Sequence, residues 1–171
     1  NICCPYNLYL NDLLRNTKPG WVLVIDDDAK IVDKSFLGEL ARICSQSDPK
    51  EIIIFQAYLN RQKKFTPYKK IWGEGLIDMC SFCFHYSVPK IFDNICGGDW
   101  RFIRDLVKMG YKVRYHFDLP HGVWGNYSGK ANGKFHSCYR NKNDILLHKK
   151  QNKVMKNKLK NPTYYTNVPW S

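Results

Sequence analysis

No stretch of this chain reaches the roughly 18 uninterrupted apolar residues that a membrane helix needs, and no cationic leader with an apolar core opens it. The sequence therefore predicts a soluble protein. Acidic residues are scarce: 15 Asp and Glu against 27 Lys and Arg leave a net charge of +12 and a pI near 9.4. That imbalance favours a polyanionic or phosphorylated partner, whether nucleic acid, an anionic membrane surface or a nucleotide diphosphate. A second CxxC pair is missing beside Cys80-Ser-Phe-Cys83, and the seven cysteines are an odd number without framework spacing. The pattern argues against a zinc ribbon or a disulfide scaffold, and reads as buried thiols in a reducing compartment. Internal repeats and extended low-complexity tracts are also absent.

What is present is a globular composition, 44% apolar and 15% aromatic, in 171 residues, enough for one domain with a proper core. Its most informative stretch is Trp21-Val-Leu-Val-Ile25, a short apolar run that ends abruptly in Asp26-Asp27-Asp28. A run this short and rich in Val and Ile predicts a fully buried strand of a parallel sheet, whose carboxyl end is where open α/β sheets bind ligands. Three carboxylates there repel one another unless something positive compensates them, and a hard divalent cation with oxygen ligands does so. A polar turn and helix cap is the plainer alternative.

Around that strand the elements alternate. Leu8, Leu13 and Leu14 predict a short helix over 7–16, stopped by Lys18-Pro19-Gly20. Asp33 or Ser35 is placed to cap a helix through Phe36, Leu37, Leu40, Ala41 and Ile43, and Glu51 to Leu59 reads as a second buried strand. Residues 60–70 have the composition of an exposed loop or hairpin, and 76–88 read as one strand or two. Gly97-Gly98-Asp99 opens a helix over 100–108 with Gly110 as its stop, and 111–117 alternate into a strand. The glycine-rich and histidine-containing stretch 121–136 is too irregular for a core element and reads as a ligand-facing loop.

In this order the motifs resemble the GT-A class of nucleotide-sugar glycosyltransferases, particularly family 2. Asp26-Asp27-Asp28 is similar to the Asp-x-Asp motif of that class, and Gly98-Asp99-Trp100 to its acidic residue at a helix start. The resemblance spans about 7–136. It implies an α/β, GT-A-like and Rossmann-related fold: a mixed, mainly parallel sheet flanked by helices, in a domain over 1–140 followed by a basic extension over 141–171. It further implies transfer of a sugar, with inversion, from a UDP- or GDP-sugar to a hydroxyl of a glycan, lipid or protein, a hexosyltransferase-type reaction dependent on Mn2+ or Mg2+. Asp26 and Asp28 would be metal ligands together with His121, for which His116 and His136 compete. Asp27, Asp78, Glu74, Trp100 and Lys130 would contact substrate, with Lys134 beside them. Asp99 would be the catalytic base, and a position at the helix N-cap would hold it in place and lower its pKa. Such enzymes carry a strand–helix unit ahead of the motif, yet only 25 residues precede Asp26. The domain is therefore expected to lack that unit, and the start at Asn1 rather than Met suggests a fragment.

Two rival readings draw on the same residues. A metal-dependent nuclease or other phosphoryl-transfer enzyme would use acids at strand ends and a positive surface, with Glu74, Asp78 and Asp99 supplying further ligands. A nucleic-acid-binding module built on the basic tail and Tyr139, Tyr164 and Tyr165 ranks last, because it leaves the Asp triplet without a role. The expected location is cytoplasmic, with the tail able to hold the protein against an anionic membrane.

Overall fold

A computed structural model describes residues 5–26, 29–60, 63–73, 76–89, 92–93 and 98–125. The helices follow from local chemistry. In α1 (Pro5–Arg15), Leu10 and Leu14 turn inward, as helical spacing requires. Helix α2 (Lys34–Gln46) is capped by Asp33, whose carboxylate accepts hydrogen bonds from the Ser35 backbone N–H at 2.8 Å and the Ser35 hydroxyl at 2.7 Å. Helix α3 (Gly98–Lys108) buries Phe102, Ile103 and Leu106 and ends at Gly110, whose φ of +90° suits a residue without a side chain. Among the described residues no helix is long and apolar enough to cross a membrane.

The strands are β1 (Trp21–Leu23), β2 (Lys30–Ile31), β3 (Glu51–Ile54), β4 (Ala57–Leu59), β5 (Lys64–Thr66), β6 (Phe82–His85), β7 (Lys112–Tyr115) and β8 (Val123–Gly125). They form two four-stranded sheets, ordered β1-β6-β3-β7 and β2-β8-β4-β5. Here the expectation of a mainly parallel, Rossmann-related sheet fails. Among the described residues only β3–β7 and β4–β8 run parallel, while β1–β6, β3–β6, β2–β8 and β4–β5 are antiparallel. The cause is β6, which the sequence reading left as one strand or two. It inserts between β1 and β3 and runs against both, with Val22 and Ile52 both opposite Phe84. Its Phe82, Cys83 and Phe84 are buried because the strand is central, and an apolar run reports burial on both faces without reporting direction.

The stretch 51–59 also divides. The backbone leaves the first sheet at Phe55, whose N–H donates to the Ser81 carbonyl at 3.0 Å, and resumes as β4 in the second. Gln56 marks the crossing, its side-chain amide donating to the Pro67 carbonyl at 3.0 Å.

Burial alternates across the first sheet. Val22, Ile52, Ile54, Phe82 and Phe84 join α1 and α3 in one core with Phe92, whose ring stacks on Phe102 at 4.2 Å. Ile53 and Cys83 face the other way and meet α2 and the second sheet through Phe36, Leu40, Ala57, Leu59 and Val123. The segment preceding α3 is held to α1 by Asn11: its amide donates to the Phe92 carbonyl at 2.9 Å and its oxygen accepts the Phe92 N–H at 2.8 Å. Asn7 likewise donates to the Asp93 carbonyl.

Candidate carboxylate site

Three carboxylates come from separate elements, and two of them act on the third. Asp26 follows β1, where the apolar run ends, and its carbonyl accepts the Ala29 N–H at 2.9 Å in a tight turn. Asp78 caps the 3-10 turn Met79–Ser81 that leads into β6. Its carboxylate accepts the Cys80 N–H at 3.3 Å and the Cys80 thiol at 3.1 Å, while its backbone N–H donates to Ser81 Oγ at 3.1 Å. Asp99 lies in the first turn of α3 and accepts the Trp100 N–H at 2.8 Å.

Electrostatics tie the three together. Burial pushes the Asp99 carboxyl up to about 7, the Trp100 N–H opposes the rise, and the negative charges of Asp78 and Asp26 add to it. The Cys80 thiol is driven far above its ordinary range by burial and then by the same two aspartates. Asp26 and Asp78 thus each lie near enough to Asp99 and to Cys80 for their charges to raise both groups. This corrects the expectation for Asp99: it stands inside the first turn rather than at the cap, and the loss of water outweighs the backbone hydrogen bond.

The remaining expected residues divide. Trp100 adjoins Asp99. Its ring carries the Arg104 guanidinium at 5.0 Å and that of Arg101 at 5.9 Å. Its indole N–H is buried without a hydrogen-bond partner among the described residues, as are Arg101 Nε and the Tyr115 hydroxyl. His121 is exposed, its ring packed against Phe65 at 4.3 Å. The neighbouring Gly122 is fixed by packing, since a β-carbon there would collide with the buried Phe36 ring. His116 continues β7, its backbone N–H donating to the Ile54 carbonyl at 2.8 Å. Trp72 packs against the first core rather than standing free.

Asp27, Asp28, Glu74, Lys130, Lys134, His136 and the extension 141–171 lie outside the described residues. So does most of the loop 121–136, but 123–125 correct its reading as irregular, because they form β8 with Val123 fully buried. Three residues are too few to show a period. Among the described residues no group of three or more His, Cys, Asp and Glu is placed to hold a metal ion.

One juxtaposition escaped the sequence. Cys83 meets Cys44 of α2, with Sγ atoms 3.8 Å apart, rather than its CxxC neighbour Cys80. No linear signal joins positions 39 apart. No family model matches the chain, and no curated protein matches it either.

Proposed function

We propose that the chain is a metal-dependent glycosyltransferase that moves a sugar from a nucleotide-diphosphate sugar to a hydroxyl acceptor with inversion. The observation that carries this reading is Asp99, in the first turn of α3, its carboxyl pKa raised to about 7 by burial and by the charges of Asp78 and Asp26. A general base works best when its pKa lies near the operating pH, and burial with two like charges brings Asp99 into that range.

In the proposed step the acceptor oxygen attacks the anomeric carbon, its proton passes to a carboxylate oxygen of Asp99, and the bond from that carbon to the diphosphate breaks with the electron pair leaving on oxygen. The Trp100 N–H fixes the Asp99 carboxylate during that transfer, and Arg101 and Arg104 place positive charge over the adjacent indole. The donor set of carboxylate oxygens suits a hard cation, and Mn2+ or Mg2+ held by Asp26 and Asp28 would stabilise the charge developing on the leaving diphosphate. The compartment proposed is a reducing one, a reading supported by free thiols at Cys44, Cys80 and Cys83.

Calorimetric titration with UDP and GDP, with and without Mn2+, tests the reading on the wild type and on an Asp26→Ala, Asp28→Ala double variant. Metal-dependent nucleotide binding that the double variant loses is expected, and it would identify the base. Absence of such binding, together with metal-dependent cleavage of a polynucleotide, would replace the transferase by the phosphoryl-transfer reading.

A further inference from the structure

Cys44 and Cys83 come from different elements and different parts of the chain, yet their sulfurs lie 3.8 Å apart as free thiols. An open groove of about 370 Å³ reaches them, walled by Trp21, Leu23, Leu37, Leu40, Ala41 and Ser45 and lined by both cysteines. We propose that Cys44 and Cys83 form a redox-active dithiol, a modification site at which a hydroperoxide entering through this groove produces a disulfide between α2 and β6.

The two thiols are unequal partners. The hydrogen bond from Cys83 holds the Cys44 thiol below its ordinary value, whereas the same contact and deeper burial hold Cys83 well above. Cys44 also keeps 7% of its surface exposed where Cys83 keeps 1%, so Cys44 is the thiol an entering oxidant meets first, the attacking group, and Cys83 the resolving one. The Cys44 thiolate attacks one peroxide oxygen, the O–O bond breaks, and the departing oxygen leaves as water or an alcohol, giving a sulfenic acid on Cys44. The Cys83 sulfur then attacks the Cys44 sulfur. The S–O bond breaks as the S–S bond forms, and the Cys83 proton leaves with the hydroxide as water. Two electrons pass from the thiols to the hydroperoxide.

Reaching a bond of roughly 2 Å needs the sulfurs to close by about 1.8 Å from their present 3.8 Å, a movement of the kind that side-chain rotation about Cα–Cβ produces. Cys80 is excluded from this chemistry despite the CxxC spacing. It is buried against Asp78 as a hydrogen-bond donor and faces two carboxylates that disfavour its thiolate. The small apolar groove favours a neutral hydroperoxide over a charged oxidant.

The test treats the reduced full chain with a slight excess of hydrogen peroxide, alkylates the remaining thiols under denaturing conditions, and maps the peptides by mass spectrometry. A Cys44–Cys83 linked peptide is expected, the pair losing two hydrogens and recovering them with dithiothreitol. Cys80→Ser should still form it, while Cys44→Ala, checked for folding by circular dichroism, should not. Because the wild-type map stands alone, misfolding of a variant does not blunt the test. Full alkylation of Cys44 and Cys83 after peroxide, a Cys80–Cys83 link instead, or over-oxidation of Cys44 without a link would each overturn the proposal.

Discussion

The surroundings of Asp99 disfavour its charge, and this determines the sign of the resulting pH dependence. Its folded pKa of about 7 stands above the unfolded value of 3.8. The contribution to stability is therefore full below pH 4 and is lost as pH rises through 7. Without metal, thermal midpoints of the wild type should fall between pH 4 and pH 8, with a linkage loss of up to about 4 kcal/mol. Asp99→Asn, which cannot ionise, should melt at nearly constant temperature across that range and exceed the wild type at pH 8. The same variant should lose roughly 100- to 10,000-fold in transfer rate at saturating donor, as expected for removal of a general base. A variant with unchanged rate would remove Asp99 from the reaction; one that melts in parallel with the wild type would remove its charge from the pH profile. The sequence displayed the identity of this residue through Gly-Gly-Asp-Trp and that of Asp26 through the acid run after an apolar strand. It did not display the raised pKa, which depends on burial and on Asp78, a residue 21 positions away that reaches the site only through the cap of the 3-10 turn.

At the scale of elements, the position of α3 rests on its clamp to α1. Asn11 acts as a substitute strand edge for Phe92, satisfying both of its backbone groups where water is excluded. Asn11→Ala strands a buried donor and a buried acceptor and should cost about 2–4 kcal/mol in denaturant unfolding, with an unchanged m-value. Gly98 is the second constraint: a β-carbon there would run into the Asn7 amide, which is buried and bonded to the Asp93 carbonyl. Gly98→Ala should cost about 1–3 kcal/mol through overpacking. Because Asp99 is the next residue, it should also lower transfer activity more than an equally destabilising substitution far from the site, such as Ile43→Val in the second core. Equal losses would mean that α3 does not position the base. The helices were legible because capping and periodicity are local: Asp33, Gly110 and the Phe36, Leu40 and Ile43 spacing are read directly, whereas in α1 Leu8 and Leu13 are exposed and Leu10 and Leu14 face the core. Strand direction was not, because β6 has the same apolar signature in either orientation. Nor was the division of 51–59, where the chain changes sheets at Phe55 and Gln56 without a Gly or Pro to signal it.

For the whole molecule, charge is distributed along the chain very unevenly. Residues 141–171 hold seven lysines against one aspartate, half of the net +12, whereas the carboxylates of the candidate site lie between 26 and 99. Under the proposed function, carboxylates at the candidate site and lysines at one end would divide transfer from attraction to an anionic surface, and the two should be separable by mutation. Each lysine near an anionic bilayer contributes about 1 kcal/mol, screened within a Debye length. Replacing Lys149, Lys150, Lys153 and Lys156 by Gln should therefore weaken sedimentation with phosphatidylserine-containing vesicles at least about tenfold and flatten its salt dependence. Under the proposed function, soluble-acceptor transfer should remain within about twofold, because surface charge changes encounter with an anionic surface more than proton transfer to a base. If vesicle binding survives the four substitutions, attraction resides elsewhere in the 27 basic residues. If soluble transfer falls with it, the basic segment takes part in binding the donor, and the separation of the two functions is wrong.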